Sequence, residues 1–217
     1  MSRLDDTAYG ALFDLDGVII DSETSYAKIW TEVERLYPTG IPDFAYYIKG
    51  TTLPEIMKHF KDPSTHEDII RRLFAYQETM EFPIYPGVED FLAELNRRGI
   101  PTAIVTSSDK HKMNLLFRQH PELRDYFTTI IDASQVTRSK PDPQGYLLAA
   151  QAIGRRPERC VVFEDSIQGM RAGKASGAKT VGVATTYPLD KVRAEHPDKV
   201  VAGLWEITAD SMLALFD

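Results

Sequence analysis

The chain has 217 residues, 43% of them hydrophobic and 26% charged, and a net charge of −7, so nonspecific binding to nucleic acid or to an anionic membrane lacks electrostatic support. A single cysteine, Cys160, excludes an internal disulfide and fits a reducing compartment. With no apolar leader in MSRLDDTAYG and no run of about 18 apolar residues, the expectation is a cytoplasmic enzyme, plausible as a monomer, without membrane or nucleic-acid partners.

Short apolar runs alternate with helix-period segments, the pattern of an α/β fold with a mostly parallel sheet. The first strand is expected at Tyr9–Phe13. From Ser22 to Met80 only helices are legible, at roughly 22–37, 54–60 and 66–80. Tyr26, Trp30, Val33 and Tyr37 share a face of the first, which predicts packing within this module. Ile69, Leu73, Tyr76 and Met80 give the last its face. The chain returns through Pro83, Pro86 and Gly87, which suit a linker. The organisation expected is therefore an α/β core from 1–21 and 83–217, with a helical insertion over 22–82.

Beyond the insertion, Val88, Phe91, Leu92 and Leu95 mark a helix stopped by Gly99. Strands are predicted at Thr102–Val105, Thr129–Ile131, Cys160–Phe163 and Thr180–Val183. Their near-continuous apolar character is that of strands covered on both faces. Met113, Leu116, Phe117 and His120 give a helix with Ser108 as its N-cap. Tyr146, Ala149, Ala150 and Ile153 give another, capped by Asp142 with Pro143 in its first turn and Gly154 beyond its end. Ser211–Phe216 reads as a terminal helix docked on the sheet.

The chemistry concentrates where these strands end. Phe13-Asp14-Leu15-Asp16-Gly17-Val18 runs an apolar strand into two carboxylates at i and i+2, aimed to the same side, toward the crevice where open α/β sheets bind ligands. Two close carboxylates need a compensating cation or shared proton, and a divalent metal is the natural partner. Thr106-Ser107-Ser108 offers hydroxyls and N–H groups at a helix mouth, a phosphate cradle. Lys140 places one cation in the proline-stiffened Ser139-Lys140-Pro141-Asp142-Pro143. Glu164-Asp165-Ser166 brings a second acidic pair to the same sheet edge. Each part comes from a different strand–helix junction, and together they suit phosphoryl chemistry.

FDLDGVIIDSE, TSS, SKPDP and EDSIQG resemble the four signature motifs of the haloacid dehalogenase superfamily. Their order, with a helical insertion after the first, is similar to the β-phosphoglucomutase-like subgroup. The resemblance implies a Rossmann-like three-layer core with a helical cap, and a phosphatase acting on a small phosphorylated metabolite such as a sugar phosphate. It implies Asp14 as nucleophile and Asp16 as acid and base. Mg²⁺ would be held by Asp14, Asp16 (through its backbone carbonyl) and Asp165, with Glu164 as a further inner- or outer-shell acid. Thr106, Ser107 and Lys140 would bind the transferring phosphoryl group.

Ile48-Lys49-Gly50-Thr51-Thr52 resembles the subgroup's cap loop, which makes Lys49 a substrate-contacting candidate, with Glu23 and Tyr26 beside the cap hinge. Mutases of the subgroup carry histidine where this chain has Tyr26 and arginine where it has Leu53. Losing a bidentate phosphate grip favours a phosphatase over a mutase. A pyrophosphatase and a receiver-like phospho-acceptor are lesser alternatives; Asp16 and the insertion oppose the latter. His59, His66, His111, His120 and His196 show no metal-ligand spacing, and solvated or capping roles are expected. Cys160 is expected in the core.

Overall fold

The computed structural model describes residues 6–217, the side chain of Glu23 apart. Among the described residues there are six strands: β1 Gly10–Phe13, β2 Thr102–Val105, β3 Thr129–Ile131, β4 Cys160–Glu164, β5 Lys179–Val183 and β6 Lys199–Val201. They form one parallel sheet in the order β3-β2-β1-β4-β5-β6. The chain builds outward from β1 to β3 and then crosses back to add β4 on the other side of β1. This reversal opens a crevice at the carboxyl ends of the central strands.

The helices are α1 Glu23–Leu36, α2 Phe44–Tyr47, α3 Leu53–Met57, α4 His66–Gln77, α5 Val88–Arg97, α6 Lys110–Gln119, α7 Gln144–Ala152, α8 Ile167–Ala175, α9 Leu189–Ala194 and α10 Ala209–Leu213. Side chains alternate across the sheet, as the pleat dictates. Ala11, Phe13, Ile104, Val161 and Phe163 face one core cluster, shared with buried residues of α5, α6 and α10. Leu12, Ala103, Val105, Cys160 and Val162 face a second, shared with α7 and α8. The result is the three-layer α/β core expected, with Cys160 fully buried and its thiol pushed up to about 12 by burial.

Several details differ from the sequence reading. β1 begins at Gly10 rather than Tyr9, and β5 at Lys179 rather than Thr180. β6 was not anticipated: it has three residues, two of them half-exposed, too few to show a pattern. The four-residue α2 escaped for the same reason. Ser108 does not cap α6. Asp109 does, accepting the Lys112 N–H at 2.9 Å, because the Ser108 hydroxyl is turned toward Asp16. α7 starts at Gln144 with Pro143 as N-cap, although Asp142 still accepts the Gln144 N–H at 3.0 Å. The C-terminal helix is α10, followed by a 3-10 turn over Ala214–Phe216.

Helices α1 to α4 lie between β1 and β2 in sequence and surround a cluster of their own, centred on Trp30, Val33, Phe44, Phe60, Ile69 and Leu73. Trp30 meets the rings of Phe44 and Phe60 at 6.2 and 6.4 Å, which is the packing its register predicts. The module joins the core through two antiparallel chain segments. Asp21 N–H donates to Pro83 O at 2.8 Å and Tyr85 N–H to Ile19 O at 2.9 Å. Gln119 and His120, at the end of α6, hold the returning segment through the main chain of Met80 and Phe82, so the His120 ring tethers the linker rather than capping a helix.

The aromatic packing under the sheet edge is specific. Phe13 stacks on Phe163 with centroids 4.7 Å apart, and Phe91 meets both edge-on at 6.1 and 5.6 Å. Each of the stacked pair immediately precedes an acid, Asp14 or Glu164. Phe163→Ala should therefore lower unfolding free energy by about 3–5 kcal/mol, measurable by urea denaturation.

Candidate active site

Asp14, Thr106, Lys140, Glu164 and Asp165 meet at the carboxyl ends of β1, β2 and β4, all of them buried. Lys140 is the organising cation. Its Nζ lies 2.5 Å from Asp14 Oδ1 and 2.6 Å from Glu164 Oε1, and donates to Val105 O at 3.2 Å. Glu164 Oε1 also accepts the Tyr146 hydroxyl at 2.6 Å, and Oε2 accepts the N–H and hydroxyl of Ser166 at 3.2 and 3.0 Å. Glu164 thus has both oxygens engaged and holds Lys140 in place.

The Thr106 hydroxyl accepts the Ser108 N–H at 3.0 Å, which shapes the loop between β2 and α6. Gly17 adopts φ +78°, and a Cβ there would fall 2.1 Å from Asp165 Oδ2. Only glycine lets the chain after Asp16 pass that close to the acid.

Asp16 has a separate set of partners. Ser22, Ser108 and Lys112 all donate to its carboxylate, the Ser108 hydroxyl at 3.0 Å. The Lys112 ammonium also stands 4.2 Å from the centre of the Tyr26 ring. The Tyr26 hydroxyl accepts the Gln77 amide at 2.8 Å, and burial pushes it up to about 12. Burial works against an ionised Asp16, but the Lys112 ammonium and the hydroxyl donors outweigh it and hold the carboxyl below its ordinary value.

Asp14 behaves oppositely. Burial pushes it up, to about 8, with Lys140 opposing and the Glu164 and Asp16 charges adding to the rise.

Carboxylate oxygens of Asp14, Glu164 and Asp165 lie within 4.8 Å of one another, the spacing of a cation site. The Asp16 side chain is directed elsewhere, to Lys112 and the serines. Counting Asp16, four acids stand against two contacting lysines. That surplus of buried negative charge, on oxygen donors alone, fits a hard divalent cation.

The helical module closes over this edge. Ser107 donates to Gly50 O at 2.8 Å, Thr52 N–H to Ser139 Oγ at 2.9 Å, and Tyr187 to Tyr46 O at 3.1 Å. Lys49 lines the same cleft, its ammonium 4.7 Å from the centre of the Tyr46 ring. Tyr26 lines it too, whereas the side chain of Glu23 lies outside the described residues.

Sequence reasoning passed over Lys112, Ser22, Ser108 as an Asp16 partner, Tyr146 and Gln77. Lys112 sits beside the apolar face of α6, where its spacing reads as solvated, and Tyr146 was assigned to the core by its register. The histidines take no part in the acidic group: His66 Nε2 meets Phe60 O at 2.8 Å, and His111 lies 3.4 Å from Glu78.

The family profile described as haloacid dehalogenase-like hydrolase matches residues 10–177. Hexitol phosphatase A of Escherichia coli is 32% identical, with 92% of this chain and 93% of that protein covered. Validoxylamine A 7'-phosphate phosphatase of Streptomyces hygroscopicus is 30% identical, covering 91% and 94%. A β-phosphoglucomutase structure from Clostridium difficile superimposes with a TM-score of 0.80 at 20% identity over 96% of each chain, a likeness of fold. The chain belongs to the haloacid dehalogenase-like hydrolase family and has the β-phosphoglucomutase-like architecture.

The raised Asp14 carboxyl has a consequence for stability. Between its unfolded pKa near 4 and its folded value of about 8, the native state binds the extra proton, so metal-free protein should lose stability as pH rises through this window. Asp14→Asn should abolish that loss, melting above the wild type at pH 8 and close to it at pH 4 in chelator, as followed by thermal denaturation.

Proposed function

We propose that this chain is a phosphatase hydrolysing a small phosphomonoester, a sugar phosphate or a metabolite of similar size, through a phosphorylated Asp14. The observation that carries the reading is the separation of the two carboxylates. Asp14 is buried against Lys140, while Asp16 is held by Lys112, Ser22 and Ser108. Two acids from one strand end thereby occupy different environments and suit different tasks.

In this reading an Asp14 oxygen attacks phosphorus while Asp16 protonates the departing alcohol oxygen. Asp16 then takes a proton from the water that cleaves the acyl phosphate. Lys140 supports the transferring oxygens, and Thr106 and Ser107 flank them from the β2 loop. Asp14, Asp165 and the Asp16 carbonyl would hold Mg²⁺, which when bound offsets the repulsion between carboxylate and phosphate. Glu164 serves behind them by fixing Lys140. Residues 22–82 act as a cap on the core of 1–21 and 83–217, excluding water when closed and presenting Lys49 and Tyr26 to the leaving group.

The relatives named for phosphatase activity support hydrolysis over mutase chemistry. So does the cleft, where no arginine is among the described lining residues to grip a second phosphate.

Asp14→Asn should reduce phosphate release from a panel of phosphorylated metabolites by at least about a thousandfold with its circular dichroism unchanged. Retained activity would refute the nucleophile. Asp16→Asn should slow alkyl esters by about 10²–10⁴ and 4-nitrophenyl phosphate far less in the phosphorylation step, because nitrophenolate leaves without a proton. Equal losses in single-turnover experiments would remove Asp16 from the acid role.

A further inference from the structure

The floor and the wall of the cleft differ in chemistry. The floor is acidic and cationic, as described. The wall, contributed by the helical module, is built of Trp30, Ile48, Leu53, Ile56 and Leu73. Floor and wall line one continuous cleft, so a ligand whose phosphate meets the floor reaches the wall with its alcohol part.

An open polyol set against this wall would give up water from its hydroxyls without finding enough partners. A second phosphate would fare worse. Lys112 is already engaged by Asp16, and Lys49 lies against Tyr46.

Among the polar side chains on the wall Gln77 stands apart, since Lys49 lies against Tyr46 and the Thr51 hydroxyl donates to Ile48 O at 2.5 Å. Gln77 is 4% exposed and lines the cleft; its amide nitrogen donates to Tyr26, while its Oε1 has no hydrogen-bond partner among the described residues. A buried acceptor left unpaired is costly, and a donor supplied by a ligand would relieve it.

On the phosphatase reading above, we infer that the alcohol released by this enzyme is uncharged and carries a flat apolar group together with a hydrogen-bond donor. The flat group lies against Trp30, Leu53 and Leu73, and the donor meets Gln77. This separates the chain from its hexitol-phosphatase relatives by substrate class.

The test compares esters of primary alcohols, whose leaving-group chemistry is closely matched: 2-phenylethyl phosphate, 2-(4-hydroxyphenyl)ethyl phosphate, sorbitol 6-phosphate and fructose 1,6-bisphosphate. Wild-type kcat/KM should favour both aryl compounds over sorbitol 6-phosphate by about tenfold or more, with the bisphosphate lowest. Leu53→Asn should bring the aryl compounds down toward the sorbitol ester. The hydroxyl-bearing ester should show a lower KM than its parent, a difference erased in Gln77→Leu. Sorbitol 6-phosphate hydrolysed as well as the aryl esters, in an Asp14-dependent way, would overturn the inference and leave the phosphatase intact. Equal wild-type KM values for the two aryl esters would overturn the Gln77 contact. No phosphate from any of the four would overturn both the inference and the phosphatase reading.

Discussion

The structure depends on how it accommodates a concentration of carboxylates in a place with little water. Lys140 is the main answer. It bridges Asp14 and Glu164, and Glu164 is in turn fixed by Tyr146 and Ser166. An unpaired buried acid would be severely destabilising, so this loop, helix and strand must arrive together for the sheet edge to exist. The stacked Phe13–Phe163 pair supplies the rigid support beneath, since both acids follow directly from it. Packing and charge are thus parts of one arrangement: the rings fix where the acids sit, and the lysine makes that position tolerable.

The same economy recurs at Asp16. Lys112, Ser22 and Ser108 reach it from α6, from the residue before α1, and from the β2 loop. The carboxylate is therefore in contact with the base of the helical module as well as with the core. Ser107 and Ser139 add bonds to Gly50 and Thr52 across the same seam. A change in the module's position must rearrange groups that touch the acid.

Much of this was legible in the chain. β1, β2, β3 and β4 are short, apolar and bounded by turn residues, so periodicity finds them within about a residue. The acidic and hydroxyl motifs stand out because each follows a strand directly, and the lysine because two prolines frame the loop around it. What stayed hidden depends on contacts distant in sequence. Lys112 and Asp16 are separated by 96 positions, and Tyr146 looks like any core aromatic until Glu164 is placed beside it. β6 has too few residues to carry a period. Ser108 misled because a serine at a helix mouth and a serine facing an acid look identical in sequence, and Asp109 next to it takes the cap instead.

The two strands of chain that enter and leave the helical module run side by side, cross-linked at Asp21–Pro83 and Ile19–Tyr85. Because entry and exit are adjacent, a twist of this ribbon would carry the module as one lever, without unravelling either end. The returning strand is anchored to the far end of α6 and the entering strand begins at the Asp16 turn, so the ribbon sits beside the buried acids. Such a layout lets the wall of the cleft be rebuilt, lengthened or exchanged in evolution while the ribbon, the buried acids and Lys140 keep their alignment.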